Sequence, residues 1–311
     1  MPSPQSGVLP EASSHALFIN AVINNNGKLS ARVRQACSTI PELTAQVAAI
    51  DPDAGLISVV AIGSDAWNRL FTEARPRQLR PFRARSEQGR EAPATSGDLL
   101  FHIRSERRDL NYFVLRKIID CFADSISVVE EVNGFRYLDC RDLTGFVDGT
   151  ENPQGEERAE VALVDKEDSD YAGGSYISVQ RYVHKLKDWD NLPVKEQESV
   201  IGRTKTDDVE LVGDAKPATA HISRVVIKEN NEELEILRHS MPYGNSREAG
   251  LLFIAYAKTP DNFDRMLDRM IYADSDGHYD HLMDYTRAVS GASFFVPSLD
   301  FLHSLAATPS N

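Results

Sequence analysis

Residues 99–113 read LLFHIRSERRDLNYF, and residues 251–263 read LLFIAYAKTPDNF. Each stretch opens on a short apolar run of strand type. Each then crosses a few charged or turn-forming residues and enters a pattern at helical spacing. The same strand-to-helix passage in both halves marks an internal duplication of a β-α-β-type unit. A unit of this kind buries one sheet face under helices, which places the chain in the α+β class.

Working outward, His15 to Ile23 (HALFINAVI) predicts a strand closed by a turn at Asn24-Asn25-Asn26-Gly27. Ser30 caps a helical pattern to about Ala49, with Val33, Ala36, Ile40, Leu43 and Val47 on one face. Leu56 to Ile62 predicts a second strand, and Ala66 to Phe71 a short helix. Thr72 to Gly97, rich in Arg, Pro and Gly, predicts a long loop of functional or mobile type. Strand Leu99 to Ile103 and helix Asp109 to Phe122 follow, and Asn133-Gly134 predicts a two-residue hairpin between Ser125–Val132 and Phe135–Leu138. In the second half, Leu251 to Ala257 predicts a strand and Asp261 to Ile271 a helix. Hairpins imply antiparallel pairing, so two ferredoxin-like halves, divided as 1–138 and 139–311, fit better than a doubly wound parallel sheet.

Composition narrows the function. The 311 residues are 41% hydrophobic and 26% charged, as in globular proteins, with a net charge of −13. That charge argues against nucleic acid and anionic lipid. No apolar run approaches the roughly 18 residues of a membrane helix. Met1 to Gly7 lack a basic n-region and twin arginine, so the expected location is the cytoplasm. The tail Ala306 to Asn311 is too polar for an anchor. Cys37, Cys121 and Cys140 form no CxxC pair, and an odd count predicts buried, reduced thiols.

Three segments carry candidate chemistry. In Gly145-Phe146-Val147-Asp148-Gly149-Thr150-Glu151-Asn152-Pro153, Asp-Gly and Asn-Pro are turn formers and suit a surface loop. The apolar lead-in of Phe146 and Val147 instead draws Asp148 toward burial, where a carboxylate needs a partner or a shifted pKa. In Glu235 to Gly244, strand alternation puts Ile236, Arg238 and Ser240 on one face and Leu237, His239 and Met241 on the other. An arginine there requires an anion, from a structural ion pair or from a ligand. His221 opens the apolar run to Ile227 and could be a hydrogen-bonded core residue or a ligand. His278, Asp280, His281 and Asp284 spell H-Y-D-H-x-x-D, a spacing unlike the common zinc signatures, and no metal site is expected there. P-loop, G-x-S-x-G and dinucleotide G-x-G-x-x-G motifs do not occur.

Together these segments resemble the dye-decolourising peroxidase family, and most closely its intracellular bacterial class B. The most specific match is Gly-x-x-Asp-Gly at Gly145 to Gly149, extended through Pro153. Ala172-Gly173-Gly174-Ser175-Tyr176, Ile201-Gly202-Arg203-Thr204-Lys205 and the His221 and Arg238 segments match in the same order. The resemblance runs from Ser6 to Leu299.

It implies a duplicated ferredoxin-like fold whose C-terminal half holds one haem b per chain. His221 matches the proximal iron ligand, Asp148 the distal acid and Arg238 the distal arginine. Ser240 takes a distal-pocket position where many relatives carry Asn. Arg203 matches an arginine near a haem propionate, with Gly149, Thr150, Glu151 and Asn152 against the cofactor. Arg238 is expected to lower the pKa of Asp148 and keep it basic. Asp280 and Asp284 are both candidates to accept the second ring hydrogen of His221, as ligating histidines require. Tyr137, Trp189, Tyr243 and Tyr256 are candidates for relaying electrons or for plain packing. Implied partners are hydrogen peroxide, small organic electron donors and further copies of the chain. The alternative is a haem carrier, or a protein that handles porphyrin iron, on the same fold.

Overall fold

The computed structural model describes residues 2–24, 30–230 and 232–306. The expected turn after the first strand lies outside these residues beyond Asn24, as does the polar tail beyond Ala306.

The N-terminal half runs β1 (His15–Ile23), α1 (Ser30–Ala48), β2 (Ile57–Gly63), β3 (Leu99–Ser105), α2 (Arg108–Phe122) and β4 (Ile126–Phe135). Its strands lie in the order β2-β3-β1-β4, every pair antiparallel. The C-terminal half repeats the plan with β5 (Ser175–His184), α3 (His221–Val225), β6 (Leu237–Arg238), β7 (Met241–Gly244), β8 (Ala249–Ala257), α4 (Asp261–Ile271) and β9 (Thr286–Val296). There β6 and β7 both pair with β8, followed by β5 and β9. This is the ferredoxin-like order twice over. One short contact, Phe294 with Gly63 and Phe295 with Ile62, joins the halves into a nine-stranded sheet.

Period-two alternation sets the cores. Leu17, Val60 and Phe101 face the helices, packing with Val33, Ile40, Val114 and Ile118. Their neighbours Phe18, Val59 and Leu100 face the other way and meet Ile254, Tyr256 and Phe294 of the second half. The sheet curls until β4 touches β7.

That closure overturns the hairpin expected at Asn133-Gly134. β4 runs straight through, with Asn133 opposite Leu17 and Gly134 opposite Ala16. A Cβ on Gly134 would lie 2.8 Å from the Met241 Cβ, so the glycine permits a close approach rather than a turn.

The loop from Thr72 to Gly97 is also held. It contains a small hairpin, Arg85–Glu87 with Arg90–Ala92. Arg80 bonds Asp261 and Asp264, each at 2.6 Å, and the buried Arg85 bonds Asp268 at 2.6 Å. The N-terminal half thereby braces α4, which forms a wall of the cavity described below.

The cysteines are unpaired, but only Cys37 is buried; Cys121 is half-buried and Cys140 exposed. The sequence expectation of three buried thiols is thus corrected. Burial pushes the Cys37 thiol up to about 12. A thiol reagent should therefore label native Cys140 quickly and Cys37 only on unfolding. Equal labelling rates by mass spectrometry would contradict this.

Candidate active site

A cavity of about 230 Å³ opens in the C-terminal half, with every lining residue between Val147 and Thr286. Its volume far exceeds that of a structural water. Ile222, Val225, Phe253, Phe263, Met266 and Met270 give it broad apolar walls.

The loop carrying Asp148 is shaped by Gly145 and Gly149, whose φ values of +88° and +84° favour glycine. The buried Phe146 anchors it among Trp189, Val200 and Ile201. Arg141 donates to the Gly145 and Lys205 carbonyls at 2.9 and 2.6 Å, fastening the loop to the Ile201–Lys205 segment. The Asp148 N–H donates to the Cys140 carbonyl at 3.0 Å. Phe146 is buried as the apolar lead-in suggested, and Asp148, half-buried, faces the cavity.

Its ionisation differs from expectation. Burial drives the Asp148 carboxyl above the ordinary range, outweighing the downward pull of Arg238, and nearby Asp142 adds to the rise. Arg238 moderates the shift without reversing it. Asp142 itself is held low, because its bonds from His184 and Thr144 outweigh its burial. A carboxyl with a raised folded pKa keeps its proton to higher pH in the native state. Stability is therefore lost as pH climbs past the ordinary carboxylate range. Asp148→Asn in the cofactor-free protein should raise the melting temperature at neutral pH and give no gain in acid. An unchanged or lower value at neutral pH would contradict this.

The alternation read for residues 235–244 holds. Ile236, Arg238 and Ser240 line the cavity, while Leu237, His239 and Met241 are buried on the opposite face. The Arg238 guanidinium has no acidic partner within 4 Å among the described residues, so the structural ion pair is not there. The Ser240 hydroxyl accepts from the Ile254 N–H at 3.3 Å.

His221 begins α3 and lines the cavity. Its Nδ1 lies 2.6 Å from an oxygen of Asp280, whose side chain is fully buried. A carboxylate only accepts, so Nδ1 carries the hydrogen. Nε2 has no protein partner among the described residues. The other Asp280 oxygen accepts from the Leu282 N–H at 2.9 Å, capping the turn His281–Asp284. Asp284 instead meets the Tyr279 hydroxyl at 3.3 Å, so the choice falls on Asp280.

Arg203, Thr150 and Glu151 stand together at one side. Arg203 donates to Asp208 at 2.7 Å and to Glu151 at 3.0 Å, and the Thr150 hydroxyl donates to Asp208 at 2.5 Å. Gly149 lines the cavity beside them. Asn152 stands apart from these residues. It is absent from the lining, and both ends of its side-chain amide bond the Arg238 backbone. Trp189, Tyr243 and Tyr256 are buried off the cavity.

Sequence reasoning missed Asp208, Asp142 and His184. Asp208 carries a left-handed φ of +53°, a conformation that no local pattern announces. His184 sits 3.1 Å from Asp142 across the loop, a pairing made only by the fold.

The fold and the cavity define a class: a duplicated ferredoxin-like protein with a carboxylate-oriented histidine in an apolar slot that also holds an unpaired arginine and a shielded carboxyl. Comparison with known proteins agrees. Residues 5–136 match the N-terminal domain of Dyp-type peroxidases, and residues 139–301 match the C-terminal domain. A dye-decolorizing peroxidase of Mycobacterium tuberculosis is 44% identical over 96% of this chain and 90% of its own length. A dye-decolorizing protein from V. cholerae superposes with a TM-score of 0.90 at 46% identity, covering 96% of this chain and 99% of that one. An arginine-to-leucine variant of Rhodococcus jostii DypB, solved in complex with haem, gives a TM-score of 0.94 at 40% identity over 97% and 98% of the two chains. The chain belongs to the Dyp-type peroxidase family.

Proposed function

We propose that the cavity holds one haem b per chain and that the protein reduces hydrogen peroxide while oxidising dyes, phenols or porphyrin-like donors in one-electron steps. The observation carrying this reading is His221. Its Nδ1 is fixed by Asp280, its Nε2 is free of protein partners among the described residues, and it shares a cavity with Asp148 and Arg238. The donor set fits the group: a neutral imidazole for iron, apolar walls for a macrocycle and a cation for its carboxylates. A propionate beside Arg203 would take the place of Glu151 on that guanidinium.

Haem, when bound, would supply the iron that takes up peroxide and the two electrons that cleavage of the O–O bond consumes. Asp148 would take a proton from one peroxide oxygen and return it to the other, which departs as water. Arg238, charged at any working pH, stabilises the charge growing on the departing oxygen. Asp148 can take the proton only when ionised, and its carboxyl is pushed up by burial. The peroxide reaction should accordingly slow as pH falls through that raised value.

A haem carrier would require His221 but would not need both of these groups. Keeping a shielded carboxyl at a cost in stability makes sense for a catalyst. Turnover of a dye by the haem-loaded protein with peroxide, measured beside release of iron or free porphyrin, tests the proposal. Release without turnover would favour the alternative.

The proposal extends to setting. Unpaired cysteines suit the cytoplasm, and no helix among the described residues is long and apolar enough to cross a membrane. Exposed Tyr112, Phe113, Val128 and Val129 suit a homo-oligomer. The division at residue 138 follows the two repeats as units.

A further inference from the structure

We propose that Asn152 is the positioning residue for Arg238, acting as a one-residue substitute for a missing strand. The inference rests on the reading of Arg238 as the cation that works on peroxide.

Among the described residues β6 is the end strand and pairs with β8 alone, Leu237 opposite Tyr256 and Arg238 opposite Ala255. In an antiparallel pair, successive residues turn their backbone groups alternately toward and away from the partner. The His239 N–H reaches the Ile254 carbonyl at 2.9 Å. The Arg238 N–H and C=O consequently point to the open edge, where they need partners. The Asn152 side chain meets both. Its Oδ1 accepts from the Arg238 N–H at 2.8 Å, and its Nδ2 donates to the Arg238 carbonyl at 2.9 Å.

A side-chain amide offers one acceptor and a donor in the geometry of a peptide group. Aspartate lacks the donor, and alanine lacks both. Asn152 is itself anchored: the buried Arg158 donates to the neighbouring Pro153 carbonyl at 3.1 Å and to the Leu9 carbonyl at 2.6 Å. Among the described residues, no other hydrogen bond joins residues 148–153 to residues 236–240. The loop that presents Asp148 and the strand that presents Arg238 are thus held in common register by this one amide. An edge strand of two residues has little else to keep its arginine aimed.

The test uses the haem-loaded protein and hydrogen peroxide. Asn152→Ala should slow the peroxide-driven change in the haem spectrum by about 10-fold or more, the penalty of a misplaced group. The resting spectrum should stay unchanged. The same substitution in an Arg238→Leu background should slow it no further, because Asn152 acts through Arg238. Amide hydrogen exchange in the peptide spanning residues 236–240 should be faster in Asn152→Ala, a readout independent of turnover. Asn152→Asp keeps one of the two bonds and should fall between, which covers the case of an Ala variant that does not fold. Equal slowing in both backgrounds would mean a direct cofactor contact or general damage and overturns the proposal. So does wild-type exchange at residue 238. An Arg238→Leu protein that reacts at the wild-type rate would defeat the reading of Arg238 instead, leaving exchange to report on the clamp.

Discussion

Arg238→Leu should slow the reaction of the haem-loaded protein with hydrogen peroxide by about 10²-fold or more, the usual scale for one group aimed at developing charge. Among the described residues the guanidinium makes no ion pair within 4 Å, so the substitution breaks none and the fold should survive, with only its pull on Asp148 lost. Asp148→Asn should slow the same step by a comparable factor, since it removes the proton carrier. Both groups serve one proton-transfer step, so the double variant should lose far less than the product of the two. The pH dependence separates their roles. Arg238 pulls the Asp148 carboxyl down against its burial. Arg238→Leu should therefore move the acid limb to higher pH, and Asp148→Asn should flatten it. Stopped-flow mixing across pH reads all of this. Wild-type rates in both single variants would show that the pocket assignment is wrong and would favour the haem carrier.

The second large effect is expected at His221. His221→Ala removes a cavity imidazole whose orientation is set by a fully buried carboxylate 2.6 Å away. Normal haem retention should be lost, or the Soret band shifted strongly, and added imidazole should restore part of either. Asp280→Asn keeps the shape but presents a weaker partner to Nδ1. It should cost about 10- to 100-fold in haem affinity or activity, the range for such outer partners. Asp284→Asn should do neither, because Asp284 bonds Tyr279 rather than His221. Unchanged haem content, spectrum and activity in His221→Ala would refute the assignment.

Much of the fold was legible because its information is local. Leu17 beside Phe18, Val59 beside Val60 and Leu100 beside Phe101 alternate between two cores, and a period of two is visible in neighbouring residues. The same local reading misled at Asn133-Gly134. Turn chemistry and a tight crossing with a distant strand both favour glycine, and only the Met241 contact distinguishes them. Asp148, Arg238, Ser240 and His221 were legible one by one, from an apolar lead-in, an alternating strand and an apolar run, and the resemblance bound them together.

Fold class and strand faces were readable from the chain alone, and the family resemblance gathered His221, Asp148, Arg238 and Ser240 into one site. The first two follow from periodicity, and the third from motifs that match a family in the same order. Only chain closure brings Asp280 to His221 and Asn152 to the backbone of Arg238. It also decided that burial outweighs Arg238 in setting the ionisation of Asp148. The reason is physical. A hydrogen bond or a pKa depends on which groups chain closure brings within a few ångströms and how much water it removes, and residues 59 or 86 positions apart carry no local mark of that meeting.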